Sequence, residues 1–373
     1  MRIQNTLALV LFLIHASLTK AQELRPGVWT ASKVESLPLP TQGYQAYLIG
    51  ERHGIEQTGE FLMQYLALLH KTSGLRDVAL EEKGVYQEQA QAYVEGRSDA
   101  LPESLCLRVG ILGQIRALNA GLQEAERIHV HFTDVDSPAW AIRQHLVALK
   151  KQIPEAASVS IPRADRLKQH GLQTVAQLKR FHLNSRTSSE LRSVEHSIRA
   201  YQQGFEVDVG PNKGSPYLED REQAVASNIE DLARTSEARP LLVLYGADHI
   251  SKAMRKDGGP KRNQPFAPMA LRLEQAGVRI FCLETFPLAG NTSWRGRQEP
   301  VYYTAKDGHL ASGETLDEVV ASSPQAQFIY VDTQRERVRH PTEDANQRVV
   351  DALILFPSGT PMKNHCPARS LKP

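Results

Sequence analysis

Alternation between short strand-like runs and longer helical patterns is the feature that most constrains the fold of this 373-residue chain. The short runs are apolar and rich in β-branched residues, whereas the segment Gly59–Lys71 repeats apolar residues at helical spacing and ends at Ser73-Gly74. Such alternation is typical of βαβ units, whose strands pair in parallel. We therefore predict an α/β fold with a mostly parallel central sheet flanked by helices. The predicted strands are Gln45–Ile49, Val78–Leu80, Ile128–Phe132, Leu241–Leu244, Arg279–Leu283, Phe328–Val331 and Ala352–Phe356.

The amino terminus has the pattern of a secretory signal peptide. Arg2 supplies the positive charge, Leu7–Ile14 is the apolar stretch, and Ala21 is a small residue suited to cleavage. We predict a signal peptide over residues 1–21 and a single domain over residues 22–373, secreted or periplasmic, with no stable membrane insertion once the leader is removed. An uncleaved amino-terminal anchor is the alternative.

The middle of the chain, at about residues 153–214, is polar and contains no strand-like run. Lys, Gln, Arg and Ser dominate it, which favours helices over strands. We predict a helical insertion here. Such a segment either covers a substrate cleft or forms a solvated helical hairpin with no role at the site.

The charge balance narrows the classes of partner, and the cysteine count limits the number of disulfide bonds. The 44 Lys and Arg residues nearly balance 42 Asp and Glu residues, so no strong field exists to attract nucleic acid, and a small-molecule substrate is the expected partner. The cysteines, Cys106, Cys282 and Cys366, are too few for a disulfide framework and permit at most one bridge. Cys282 lies in an apolar run and is predicted to be a buried, unreactive side chain.

Acidic and imidazole side chains follow several of the predicted strands at the point where each strand ends. Glu51 and His53 follow the first strand, Glu81 follows the second, Asp136 lies just beyond the third, and His249 follows a later one. The carboxyl ends of parallel strands share one edge of a sheet, and ligands bind in the crevice there. We therefore expect Glu51, His53 and His249 to converge in one pocket. A polar turn or a helix cap is the ordinary explanation of each residue taken singly.

Gly246 precedes His249 in the segment Tyr245–Ile250 and is predicted to let the backbone turn sharply after its strand. His249 then lies between Asp248 and the apolar Ile250, outside any longer run of charged residues. This placement favours a functional imidazole over a solvated one.

Several motifs together resemble the superfamily that unites erythromycin esterases, ChaN-type haem-uptake proteins and TraB/Tiki-type proteins. The elements are Gly-Glu-x-His at Gly50–His53, the acidic residue Glu81, and Gly-Ala-Asp-His-Ile at Gly246–Ile250. In addition, Arg221–Asn228 is similar to the Arg-Asp-x-x-Met-Ala-x-Asn helix of the esterase-like branch, and Asp351–Phe356 to its closing strand.

One difference in residue spacing bears on which branch of the superfamily the chain resembles. The macrolide esterases have two residues between the Glu and the His of the first motif, whereas a single residue, Arg52, separates Glu51 from His53 here. This spacing is closer to the ChaN-like branch. The motifs therefore indicate the superfamily more firmly than the substrate.

The esterase-like resemblance implies an exported hydrolase of an ester or lactone that needs no cofactor. His53 would be the general base, Glu51 would orient it, and His249 with Arg221 would stabilise the oxyanion. Glu81 completes the catalytic set. The chain lacks a Gly-x-Ser-x-Gly elbow, so water would attack directly. The predicted substrate-binding residues are Arg52, Asp136 and Asn228.

Two other functions are compatible with the same resemblance. A TraB/Tiki-like peptidase would hold a divalent metal between Glu51, His53, Glu81 and His249, whose side chains suit such an ion. A ChaN-like periplasmic protein would instead bind haem or iron, with Tyr or His as the ligand.

Overall fold

A nine-stranded sheet organises the protein. The computed structural model describes residues 20–204, 218–235, 239–256, 265–294, 297–300, 309–310, 313–336, 338–339 and 349–363. The strands of the sheet are β1 (Gln22–Arg25), β2 (Val28–Ala31), β3 (Ala46–Glu51), β4 (Asp77–Lys83), β5 (His129–Asp134), β6 (Leu241–Gly246), β7 (Ile280–Pro287), β8 (Phe328–Asp332) and β9 (Ala352–Phe356).

The sheet is parallel over most of its width, in the order β1-β2-β8-β9-β7-β3-β6-β4-β5. Every neighbouring pair from β9 to β5 is parallel, which confirms the predicted fold class. At the other end, β1, β2, β8 and β9 pair antiparallel. The hairpin of β1 and β2 was not among the predicted strands, because its four-residue runs are too short to show a clear period.

Helices flank the sheet and match the helical patterns of the sequence. Gly74, at φ 67°, ends the first helix, as the sequence predicts. Within the predicted insertion the structure has two helices, and residues 205–217 lie outside the described part of the chain. The helices are α1 (Glu56–Ser73), α2 (Gln87–Val94), α3 (Val109–Ala120), α4 (Ala139–Lys151), α5 (Leu167–Leu178), α6 (Ser185–Gln202), α7 (Leu218–Thr235), α8 (Met269–Gln275) and α9 (Leu316–Ser322).

Short two-stranded ribbons complete the described structure. Arg255–Lys256 pairs with Pro265–Phe266, and His309–Leu310 pairs with Val338–Arg339. A hairpin joins Asn291–Trp294 to Arg297–Pro300.

The central strand β3 shows how the sheet separates two apolar layers. Tyr47 and Ile49 pack with the apolar side of α1, while the alternate residues Ala46 and Leu48 pack with α7 and α8 on the opposite face. The side-chain period of two in a strand produces this division. Strands buried on both faces need continuous apolar runs, and this is why they were recognisable in the sequence.

The cysteines differ in state. Cys106 is disulfide-bonded, Cys282 is a buried free thiol, and Cys366 lies outside the described residues. Burial raises the pKa of Cys282 well above its ordinary value, which disfavours a thiolate nucleophile there. Within the described ranges, no helix is long and apolar enough to cross a bilayer.

Candidate active site

The carboxyl ends of β3, β4, β5 and β6 bring acidic side chains to one edge of the sheet. Glu51 is the last residue of β3 and is in register with Gly246, the last residue of β6. A Cβ on Gly50 would lie 2.5 Å from the side chain of Ile250, so glycine is required for the turn Ala247–Ile250 to approach β3. That turn carries His249, so it brings His249 to the edge of the sheet where Glu51 lies.

Glu51 links an imidazole to a buried guanidinium. Its Oε1 atom accepts hydrogen bonds from His53 Nδ1 at 3.0 Å and from Arg108 Nη1 at 2.9 Å. Burial favours the neutral carboxyl, but Arg108 and His53 outweigh it and lower the pKa of Glu51 to about 2. Burial also opposes the charge on His53, yet its hydrogen bond to Glu51 raises the pKa of His53 above 6.5. Glu51 therefore fixes the ring of His53 and strengthens it as a base.

The other nitrogen of His53 lies close to Gly246. A Cβ at Gly246 would lie 3.1 Å from His53 Nε2 and 3.4 Å from Glu81 Oε2. The chain turns directly after Gly246 into the 3-10 segment Ala247–Ile250, as predicted, but φ −55° and ψ 143° at Gly246 are values that any residue adopts. What favours glycine here is close approach: a Cβ would crowd the imidazole of His53 and the carboxylate of Glu81.

Glu81, Arg221 and Asp134 form a second ion-paired group beside the first. Arg221 donates from Nε and Nη2 to the two carboxylate oxygens of Asp134, at 2.9 and 2.8 Å, and from Nη2 to Glu81 Oε1 at 2.7 Å. Glu81 Oε2 accepts from the backbone N–H of Gly246 at 2.7 Å. Burial favours protonation of Glu81, but His249 and Arg221 hold its pKa well below the ordinary value.

His249 lies between two carboxylates and is buried. Its Nδ1 atom is ion-paired with Glu222, and its Nε2 atom is 3.6 Å from Glu81 Oε1 and 3.3 Å from Arg221 Nη1. Burial and Arg221 oppose the charge, but Glu222 and Glu81 outweigh them and raise the pKa of His249 to about 10. The two imidazoles therefore differ: the ring of His53 is partly exposed, whereas that of His249 is buried between two carboxylates.

Two of the predicted substrate-binding residues do not point at this cluster. Asp136 accepts from Val85 N at 2.9 Å and contacts His145 Nδ1 at 2.6 Å. The amide of Asn228 donates to Thr133 O at 2.9 Å and to Ser193 Oγ at 3.1 Å. Both side chains are buried and hold elements together.

The third predicted substrate-binding residue, Arg52, is placed at the rim. Its Nη2 atom is 3.2 Å from Glu284 Oε1, and its side chain is partly exposed. Arg52 is therefore the one of the three that a substrate can reach.

Three residues of the cluster were not among the predicted site residues: Arg108, Asp134 and Glu222. Glu222 follows Arg221 in the motif that carries the resemblance, and Asp134 lies two residues beyond the predicted strand Ile128–Phe132, so both had a signal in the sequence. Arg108 lies in a 3-10 segment, Glu103–Arg108, within no recognised motif. Its contact with Glu51 spans 57 residues, and no local pattern indicates it.

The cluster does not provide a ligand set for a metal. Glu51 is bonded to Arg108 and His53, and Glu81 is bonded to Arg221 and the N–H of Gly246. In the part of the chain that the structure describes, no three His, Cys, Asp or Glu side chains are arranged to share one ion. The predicted metal ligands Glu51, His53, Glu81 and His249 thus come together as an ion-paired network that does not fit a metal.

Comparisons with known proteins bear on the fold. No family model and no curated protein matches the sequence. A single-substitution variant of the erythromycin esterase EreC, in its open conformation, superposes with a TM-score of 0.61 at 12% identity, over 87% of this chain and 93% of that chain. A Bacillus cereus protein superposes with a TM-score of 0.60 at 14% identity, over 87% and 91%. A succinoglycan biosynthesis protein gives 0.59 at 12% identity, over 85% and 89%. The chain therefore has the erythromycin-esterase fold that its sequence motifs predict.

Proposed function

We propose that this protein is a hydrolase of esters or lactones in which His53 activates a water molecule. The observation that carries the proposal is the placement of one ring: Glu51 holds His53 Nδ1, and the side chain of His53 is 33% exposed, with Nε2 close to Gly246. A base needs an orienting partner on one nitrogen and room for the reacting group at the other. His53 has both.

The reaction begins with a water molecule bound beside His53 Nε2. His53 Nε2 takes a proton from this water as its oxygen attacks the carbonyl carbon of the substrate, and a tetrahedral oxyanion forms. When the oxyanion collapses, the bond to the leaving oxygen breaks, and the proton on His53 passes to that oxygen. The products are a carboxylic acid and an alcohol, or a hydroxy acid from a lactone, and His53 returns to its neutral form.

The oxyanion requires positive charge beside the reacting carbon, and His249 is the candidate donor. Its Nε2 atom lies beside Glu81 and Arg221 at the same strand ends. A cation held in a buried site stabilises a developing negative charge more strongly than one in water. Arg221 holds Asp134 and Glu81 in place beside His249. Arg52, at the exposed rim, is positioned to contact the bound substrate.

The fold supports this proposal without fixing the substrate. One of the superposed structures is an erythromycin esterase by name, and it covers most of both chains. One fold carries many functions, so the argument for hydrolysis depends on the arrangement of His53, Glu51 and His249.

Hydrolysis of a panel of esters and lactones by the purified protein tests the proposal. His53→Asn should lower kcat/KM for any substrate found by on the order of a hundredfold or more, because the general base is lost. The matched control is His131→Asn. His131 also pairs with a carboxylate, Asp77, at 2.8 Å, but lies away from the cluster. Equal activity of the His53 and His131 variants would contradict the role of His53.

We also propose that the protein is exported and that its leader is removed near Ala21. The disulfide at Cys106 supports an oxidising compartment. The intact mass of the protein isolated from its natural source tests whether the leader is removed. A mass that includes residues 1–21 would contradict cleavage.

A further inference from the structure

We propose that the outer face of helix α4 binds the protein to a membrane surface of anionic phospholipid. This face belongs to a basic helical module, which we define as residues 139–204 and which comprises α4, α5 and α6. The proposal is independent of the hydrolase function, because it concerns residues outside the cluster at the strand ends.

The near balance of charge over the whole chain conceals an uneven distribution. The helical module contains 11 Lys and Arg residues but only 4 Asp and Glu residues, whereas the rest of the chain contains 33 and 38. The module therefore has a formal charge of +7 and the remainder a charge of −5. Charges farther apart than about 8 Å are largely screened at physiological ionic strength, so the acidic remainder does not cancel the field at the surface of the module.

The helical module has an apolar core of its own. Ile142, Leu146 and Leu149 of α4 pack in this core with side chains of α5 and α6, apart from the two apolar layers on the sheet. Because these residues face inward, the opposite side of α4 faces outward. The position of this outward side is thus fixed by packing within the module.

The outward side of α4 combines cations with an exposed aromatic ring. The side chain of Trp140 is 44% exposed. Arg143, Val147 and Lys151 follow it at helical spacing and therefore share its face. Arg143 and Val147 are partly exposed, and Lys151 is exposed. The sequence of α4 contains no Asp or Glu, so this face carries only positive charge.

Ion pairs neutralise cations elsewhere in the module but not on this face. Glu195 of α6 pairs with both Lys179 and Arg199. Among the residues that the structure describes, no acidic side chain forms an ion pair with Arg143 or Lys151. A lysine in the last turn also suits the helix dipole, but Arg143 lies in the second turn, where the dipole offers no such explanation. These cations are therefore available to a partner.

The combination of cations with Trp140 favours a lipid surface over other polyanions. Lys and Arg side chains are attracted to the negative potential of anionic lipids, and Trp is enriched at membrane interfaces because its ring is apolar with one polar N–H. Duplex nucleic acid would engage the cations alone, because its stacked bases present no face to an exposed indole. The contact is with the membrane surface, since the apolar side of α4 is already buried in the module.

Sedimentation of the purified protein with lipid vesicles tests the proposal. The protein should bind vesicles of equimolar phosphatidylglycerol and phosphatidylcholine at low salt, and should not bind vesicles of phosphatidylcholine alone. Raising the salt concentration from roughly 0.01 to 1 M shortens the Debye length from about 30 to about 3 Å and should release the bound protein.

Two double variants separate the face of α4 from the charge of the whole protein. Arg143→Gln/Lys151→Gln should lower the affinity for the anionic vesicles by about tenfold or more, because both cations are lost from the contact. Lys33→Gln/Lys71→Gln is the matched control, which removes two exposed cations outside the module. It should bind the vesicles as the wild type does. Thermal unfolding verifies that both variants are folded.

Tryptophan fluorescence reports on Trp140 itself. The wild-type emission should shift to shorter wavelength on the anionic vesicles, because the indole moves from water into the interface. Trp140→Phe leaves Trp29 and Trp294 as the other tryptophans and should abolish the shift.

Four results would overturn the proposal. They are absence of binding to the anionic vesicles, equal affinities of the two double variants, an emission shift that persists in Trp140→Phe, and tighter binding to duplex DNA than to the vesicles at the same salt concentration. The last result would assign the face of α4 to nucleic acid. A protein that binds the vesicles as expected but hydrolyses no ester or lactone would contradict the proposed function and leave this inference standing.

Discussion

The Nε2 atom of His53 lies 3.1 Å from the point where a Cβ on Gly246 would stand. Glu81 Oε2 lies 3.4 Å from the same point, so an added side chain would crowd both an imidazole and a carboxylate. The backbone of Gly246 has an ordinary conformation. The glycine therefore serves the site, and its replacement should affect activity more than folding.

Gly246→Ala should lower kcat/KM by about tenfold or more, because the methyl group would lie 3.1 Å from His53 Nε2 and displace the ring from its position for catalysis. The midpoint of thermal unfolding should change little, since alanine adopts this backbone conformation without strain. Gly59→Ala on α1 is the control, where the added Cβ meets only Ile111 at 3.8 Å. Full activity of Gly246→Ala would show that catalysis does not depend on this position of the ring.

Glu51→Gln should change the pH dependence of hydrolysis as well as its rate. Glu51 raises the pKa of His53 above 6.5, and the base must be neutral to act, so wild-type activity should rise with pH through a pKa above 6.5. Without the carboxylate the pKa of His53 falls, and the acid limb should move to lower pH while the maximal rate drops. Profiles of kcat/KM against pH measure both. If the acid limb did not move, a group other than His53 would determine its pKa. Glu60→Gln, on the exposed side of α1, is the control.

Replacement of Arg108 should destabilise the protein. Arg108 donates to Glu51 at 2.9 Å and to Glu82 at 3.0 Å, and all three side chains are largely buried. Arg108→Met leaves both carboxylates without their guanidinium partner, and loss of one partner of a buried ion pair typically costs about 3–5 kcal/mol. Denaturant unfolding measures this loss. Arg116→Met removes a guanidinium that pairs with the exposed Asp99 and should cost less than about 1 kcal/mol. Similar losses for the two variants would argue against a structural role of the Arg108 pairs.

The sheet was predictable because its strands are buried on both faces. The strand Ala352–Phe356 has the bounds that the sequence predicts, and β3 differs from its prediction by one residue at its start and two at its end. A continuous apolar run bounded by polar residues identifies such strands in the sequence. Because parallel strands end at one edge, the predicted sheet also implied that Glu51, Glu81 and His249 lie near each other.

The direction of individual side chains was less predictable. We predicted both Arg221 and Asn228, on the same helix, as site residues. Seven residues along a helix correspond to roughly 10 Å, however, so Asn228 reaches β5 at Thr133 while Arg221 reaches the strand ends. Asp136 turns away because Val85 N and His145 satisfy its carboxylate. The direction of each side chain depends on hydrogen-bond partners far away in sequence, which no local pattern encodes.

Asp136→Asn tests whether that carboxylate supports the fold or binds substrate. Asp136 and Glu190 overcome the opposing effect of burial and raise the pKa of His145 from 6.5 to about 9. A raised pKa means that the charged pair stabilises the folded state fully below pH 6.5 and that this contribution is lost as the pH rises through about 9. The free energy of unfolding of the wild type should therefore fall between these pH values, whereas Asp136→Asn should be less stable at neutral pH by about 1–3 kcal/mol and show a flatter dependence. Its kcat/KM per folded molecule should equal that of the wild type, because Asp136 faces His145 and not the cluster of His53 and Glu81. A variant with normal stability at every pH but a raised KM would instead make Asp136 a substrate-binding residue.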